Sequence, residues 1–306
     1  MASIMSKAKP AAAGRPPAAV EITSEGVLAA VRRTGSGTDE ALAYAFAALP
    51  VGAVVAGIEE ANLRAPEAVA SAIRSALDEL APRHRAVTLV LPDASVRVFV
   101  LDFDSFPAKA DEALPVLRFR LRKMVPFDVE HGGVSYQVLA QDKTECKVLT
   151  AVLPGPVLAE YEAAVRAAGY EPGAVLPSSL AAIETAGQME AVLAVNLSGT
   201  GMTTLIANGQ DLLLYRTLDL PPAPMARVSE IQRGIAVAAA YYEDKLGAPP
   251  RKLHYTGNHD MHEFASWVAS AEIEVVELAP RPESGMLTSL GRESIAGVAG
   301  ALAGAR

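Results

Sequence analysis

The sequence predicts a two-lobed α/β protein, and three observations carry that prediction. Strand-like apolar runs alternate with helical patterns along the chain. The same strand–polar turn–strand grammar occurs at residues 18–31 and again at 191–207, once in each half, which suggests a duplicated architecture. The chain has 306 residues, 51% of them AVILMFWYC and 20% charged, enough for two domains or one large bilobal unit with real cores.

Taken in order, residues 1–17 are rich in Ala, Pro and Lys and read as a disordered tail. Residues 18–22 and 27–31 read as strands around the turn Thr23-Ser24-Glu25-Gly26. Thr38 is expected to cap a helix reaching residue 49, with Asp39 and Glu40 favourable in its first turn. Residues 54–58 read as a strand. Residues 66–80 give the clearest helix: Pro66 suits the first helical position, and Val69, Ile73, Ala76, Leu77 and Leu80 recur at helical spacing. Strands follow at 86–91 and 96–102. A helix is expected over 115–125, where Arg118, Arg120, Arg122 and Lys123 interleave with Leu117, Phe119, Leu121 and Met124. Strands at 134–140 and 147–153 and a helix at 156–168 complete a small α+β unit. A short helix spans 178–186.

The organising stretch is 191–216. One apolar strand ends at Asn196, and the polar turn Ser198-Gly199-Thr200-Gly201 leads into a second. Asn208-Gly209 turns that strand into a third, a strong hairpin signal. A loop with hydroxyls and glycines can aim backbone N–H groups at a phosphate. A long helix follows at 225–246 with Gly247 just beyond it, then strands at 252–255 and 273–278, a helix at 260–270, and a last Ala/Gly-rich helix at 287–303.

Composition excludes several functions. The net charge is −8 with no long basic run, so nucleic acid is not the expected partner. The single cysteine, Cys146, rules out an internal disulfide framework and reads as a strand residue. No segment approaches the ~20 apolar residues needed to cross a bilayer, and no secretory leader is evident. Neither GxxxxGK[ST] nor G-x-S-x-G occurs. His254, His259 and His262, with Asp260 and Glu263, read as exposed polar residues rather than a metal set. Asp102 and Asp104 read as turn residues.

Three segments in order carry a family likeness: 86–140, with its strand ending in Pro and its helix ending in Pro126-Phe127; 192–215; and 253–277. Over residues 18–303 the chain resembles the PilM family of type IV pilus assembly and, more distantly, FtsA and the type II secretion protein GspL. The resemblance implies an actin-like (ribonuclease H-like) fold: first lobe 18–96, inserted α+β subdomain 97–170, return 171–190, and second lobe with a C-terminal helix 191–306. It also implies an ATP/Mg cleft, with Asn196, Ser198, Gly199, Thr200, Gly201, Thr203, Gly257 and Asn258 as nucleotide-binding positions.

The sequence departs from the family pattern at that cleft. No early glycine matches in the 21–26 loop, Asn196 replaces an Asp, and Gly257 is followed by Asn258 and His259. An amide brings no negative charge for Mg²⁺, so degenerate or weak ATP binding is expected, and no catalytic residue. The family role implied is that of a cytoplasmic scaffold binding the tail of a PilN-like inner-membrane protein, alongside other pilus or secretion assembly proteins, and meeting the membrane only through them. Arg118, Arg122 and Phe127 are the implied tail-binding residues. The rival is an actin-fold ATPase or sugar-kinase-like phosphotransferase, which would need acidic residues in both phosphate loops.

Overall fold

The computed structural model describes residues 15–34, 40–59, 61–142, 145–187, 190–279 and 294–303. Strands β1 (Ala18–Ile22), β2 (Gly26–Thr34) and β3 (Glu40–Ala48) form an antiparallel meander. Helix α1 (Pro66–Leu80) crosses to β4 (Ala86–Leu91), which lies parallel to β1. Pro66 sits at the helix start, and Val69, Ile73, Ala76, Leu77 and Leu80 are all buried, as their spacing requires. Ala81 closes the helix in the left-handed conformation, its N–H returning to the carbonyls of Leu77 and Asp78.

The chain then leaves the sheet. Strand β5 (Arg97–Phe103), helix α2 (Ala110–Leu121), β6 (Gly133–Gln141) and β7 (Cys146–Leu153) build a three-stranded antiparallel sheet, order β5-β7-β6. Ala113, Leu117 and Leu121 of α2 share a separate core with Leu101, Phe106, Cys146 and Val148. Helix α3 (Gly155–Ala167) returns to pack on α1, and β8 (Glu171–Pro177) pairs parallel with β4 before helix α4 (Ser178–Ala182).

The second half repeats the first. Strands β9 (Ala191–Leu197), β10 (Gly201–Asn208) and β11 (Asp211–Asp219) form a meander. Helix α5 (Pro224–Leu246) leads to β12 (Lys252–Gly257), and α6 (Met261–Val268) to β13 (Glu274–Glu277). The sheet orders are β3-β2-β1-β4-β8 and β11-β10-β9-β12-β13, in both cases third, second, first, fourth, fifth. A meander followed by two parallel strands, made twice, is the duplicated ribonuclease H-like core of an actin-like fold.

The structure corrects the sequence reading at three places. Residues 40–48 form strand β3, not the body of a helix; Thr38 and Asp39 lie outside the described residues. Alanine favours helix, but bulky Leu42, Tyr44 and Phe46 stand at every second position, and the nine-residue β2 takes them as its partner edge. The stretch 54–58 makes only one bridge, Val54 to Leu63. Helix α2 begins at Ala110, with Pro115 inside it and Asp111 and Glu112 in its first turn.

Two helices also change allegiance. Val157, Leu158, Tyr161 and Val165 of α3 join the main core rather than that of the inserted unit. Helix α7 (Ala296–Ala303), grouped with the second lobe in the sequence reading, makes its main contacts with α4, β1 and β2 of the first lobe. Residues 287–293 of the expected last helix lie outside the described residues.

Candidate functional site: the interlobe cleft

In sheets with parallel strands, ligands meet the crevice beyond the carboxyl ends of those strands. Here the ends of β1, β4, β9 and β12 converge on one cleft of about 1140 Å³ counting its open mouth. Asn196, Ser198, Gly199, Thr200, Gly201, Thr203, Gly257 and Asn258 all line it, so the structure brings together every position that the sequence reading assigned to the cleft.

Two turns face each other there and are built alike. After β1, Thr23 N–H donates to the Gly26 carbonyl at 2.9 Å, and Thr23 Oγ1 accepts from Gly26 N–H at 3.1 Å. After β9, Ser198 N–H donates to the Gly201 carbonyl at 2.9 Å, and Ser198 Oγ accepts from Gly201 N–H at 3.0 Å. Each hydroxyl also donates to that same carbonyl, at 3.0 and 3.1 Å. Of the hydroxyls in the expected phosphate cradle, that of Ser198 is committed to its own turn and that of Thr203 meets the Thr217 hydroxyl at 3.0 Å. Gly257 is required by close approach: a Cβ there would lie 2.5 Å from the Leu197 carbonyl oxygen.

Below the turns lies a buried polar network. Asp93 accepts from Ser179 N–H at 3.0 Å and Tyr215 OH at 2.8 Å, and also from Ser179 Oγ. The Asn196 amide nitrogen lies 3.2 Å from Asp93 Oδ2, 3.1 Å from Ser178 Oγ and 3.0 Å from Ser179 Oγ. Ser178 Oγ donates to Glu21 Oε1 at 2.6 Å. Burial pushes the Glu21 carboxyl up to about 7, the Ser178 bond opposes the rise, and the nearby Asp93 charge adds to it. Burial, then Asp93, drives the Tyr215 phenol well above its ordinary range, so it stays a donor. At the mouth, Asn258 Nδ2 donates to Glu25 Oε1 at 2.8 Å, leaving the buried Asn258 Oδ1 without a hydrogen-bond partner.

Sequence reasoning missed Asp93, Ser178, Ser179 and Tyr215. Asp93 read as the residue closing a strand, and Tyr215 as one more apolar strand residue. The only local sign was a carboxylate directly after Pro92 at the end of a buried strand.

These groups do not fit a magnesium-bound phosphate. Mg²⁺ takes anionic or carbonyl oxygens in a near-ideal octahedron. Both oxygens of Asp93 already accept protein donors, the Asn196 amide N–H faces Oδ2, and burial of Glu21 disfavours its charged form.

The expected tail-binding residues lie elsewhere and are internally engaged. Arg118 donates to the Glu130 carbonyl at 2.8 Å, to Gly132 at 3.3 Å and also to Val129. Arg122 pairs with Glu130, its Nε at 3.0 Å. Phe127 packs against the core of the inserted subdomain. Their signal in the sequence was an amphipathic basic helix, but Arg118 and Arg122 brace the loop 128–132. The helix instead exposes Val116 and Phe119, with Met124 just beyond its end.

The histidines remain apart from this cleft chemistry. His259 meets Trp267 edge-on, Asp260 caps α6, and no group of three or more ligating side chains with metal-site geometry occurs among the described residues. Cys146 is buried. No described helix is long and apolar enough to cross a membrane.

No family model matches the sequence, and no curated protein matches it. Among solved structures, a chain of a PilM–PilN type IV pilus biogenesis complex superposes with a TM-score of 0.74 at 19% identity, covering 94% of this chain and 98% of that one. The cytoplasmic domain of EpsL, an inner-membrane component of the type II secretion system of Vibrio cholerae, superposes with a TM-score of 0.49 at 12% identity, over 89% and 98% of the two chains. A Bacteroides thetaiotaomicron protein described as having an actin-like ATPase fold gives 0.48 at 9% identity, over 85% and 90%. The fold is PilM-like, with the bilobal actin-like architecture that the sequence predicts.

Proposed function

We propose that this chain is a non-catalytic adaptor of a type IV pilus or related secretion assembly complex. It receives the cytoplasmic tail of a PilN-like inner-membrane protein and meets the membrane through that partner, on the cytoplasmic side. The observation that supports this reading most is near-complete superposition on a chain from a PilM–PilN complex. The cleft supports it too, because Asp93, Asn196, Ser198 and Tyr215 are engaged with other protein groups, which leaves at most weak ATP binding.

Docking falls to the inserted subdomain. Arg118 and Arg122 serve there as braces, and the outer face of α2 offers contact through Val116, Phe119 and Lys123, with Phe119 65% exposed. A tail peptide, extended or helical, would bind through a few such apolar anchors.

The test is titration of the full chain with a synthetic peptide copied from the cytoplasmic start of the co-encoded single-span membrane protein, read by fluorescence anisotropy. Saturable binding that Phe119→Ser weakens about tenfold or more, a loss of about 1.4 kcal/mol, supports the adaptor. No binding by the parent chain, or binding indifferent to Phe119, overturns the docking assignment.

A further inference from the structure

The two lobes share one hydrophobic cluster, which takes in Val192, Leu205 and Leu212 of the second, and a polar bridge spans the cleft beside it. In this chain the bridge is made by the protein itself. From the first lobe come Glu25, Asp93, Ser178 and Ser179; from the second come Asn196, Tyr215 and Asn258. Three residues cross the gap: Tyr215 to Asp93 at 2.8 Å, Asn258 to Glu25 at 2.8 Å, and Asn196 to Asp93, Ser178 and Ser179 at 3.0–3.2 Å.

Asn196 is the centre of this arrangement, and its chemistry decides what the arrangement can be. Its amide nitrogen carries two protons and faces three oxygen acceptors, one of them a buried carboxylate. A carboxylate in its place could donate nothing and would set a second negative charge about 3 Å from Asp93, where like charges repel strongly. The hydroxyls of Ser178 and Ser179 are themselves turned toward Glu21 and Asp93, so their lone pairs are free to accept from Asn196.

We infer that the cleft is a protein-made latch: Asn196, Tyr215 and Asn258 hold the lobes closed by direct bonds to Asp93, Ser178, Ser179 and Glu25, in place of a magnesium nucleotide. The amide at position 196 is the positioning residue of that latch, not a weakened metal ligand. This assignment stands apart from the tail-docking reading and is tested without any peptide.

The experiment uses the full chain spin-labelled at cysteines introduced at Glu79 and Asp244, one exposed site in each lobe; the native Cys146 is buried. The probes are magnesium chloride alone and Mg-ATP. The parent chain is expected to show one narrow interlobe distance and a melting temperature that neither probe moves. Asn196→Asp should broaden and lengthen the distance, lower melting by about 5 °C or more, and recover part of both with magnesium chloride. Tyr215→Phe removes a single cross-lobe bond and covers the case in which Asn196→Asp does not fold. It should broaden the distance distribution and speed amide exchange in the 23–26 and 198–201 turns. A parent chain that closes further or melts higher with Mg-ATP overturns the latch. So does an Asn196→Asp or Tyr215→Phe chain with the parent's distance.

Discussion

Gly300→Ala is the sharpest test of how the last helix sits. On helix propensity alone, the change should stabilise α7 by about 1 kcal/mol. The structure reverses that sign. A Cβ at position 300 would lie 1.8 Å from the carbonyl oxygen of Ala181 and 2.7 Å from its carbonyl carbon. Both are backbone atoms of α4, so no rotamer relieves the clash, and α7 must move off by roughly 1 Å. Val298 and Leu302, both fully buried on that helix, then lose part of their contact with the first lobe. Full burial of such a side chain contributes about 1.5–3 kcal/mol, and overpacking itself costs about 1–3 kcal/mol. Net of the propensity gain, we expect a loss of about 2–4 kcal/mol, seen as a fall of about 5–10 °C in a thermal melt. Ala181→Gly should not rescue it, because the obstruction is a carbonyl oxygen and not a side chain. A Gly300→Ala chain as stable as its parent, or rescue by Ala181→Gly, would show that this packing is wrong.

Other expectations follow from the polar groups. Glu21 has its folded value raised from 4.5 to about 7, so the fold favours the proton-bound form. Its contribution is therefore largest below pH 4.5, declines as pH rises toward 7, and then levels, spanning up to about 3 kcal/mol. Glu21→Gln should remove that slope in denaturant titrations run across pH 4–8; an unchanged slope would put the titrating group elsewhere. Arg118→Ala should cost about 1–3 kcal/mol by freeing three carbonyls, with faster amide exchange confined to residues 128–132 as the readout. Asn62→Ala should cost about 2 kcal/mol in chemical denaturation, since Asn62 Oδ1 is buried and accepts from Gly57 N–H at 2.7 Å and Ser95 Oγ at 2.8 Å. Tyr161→Phe should change stability by less than about 0.5 kcal/mol, because its hydroxyl contacts at 3.5 Å are at the outer limit of hydrogen bonding.

What was legible in the chain was what neighbouring residues decide among themselves. Pro66 and the stripe behind it announce α1, and Asn208-Gly209 announces the β10–β11 turn, where Gly209 has φ +60°. The polar turns after β1 and β9 could be found because their bonds span three residues. Strand β3 was hidden because Thr38, Asp39 and Glu40 read as a helix start while the deciding partner, β2, lay across a loop. Helix α3 could not be assigned to its lobe from sequence, since its tie to α1 is tertiary. The cleft divides the same way. Its loop residues stand out by type, but Asp93 takes its role from Ser179, 86 positions on, and from Tyr215, 122 positions on. The arginines of α2 were visible, yet whether they face outward or staple a loop depends on where residues 128–132 fold back.

The paired turns carry a consequence for how the two halves came to differ. In each, a hydroxyl residue at the first place and glycine at the last supply the recurring bonds. The two middle residues, Ser24-Glu25 and Gly199-Thr200, are side-chain passengers on an interchangeable mount. One copy has used that freedom to extend Glu25 across to Asn258, while the other brings small Gly199 in beneath it. Grafting one tetrapeptide onto the other's strands should leave both hairpins standing and redraw only what reaches over the gap.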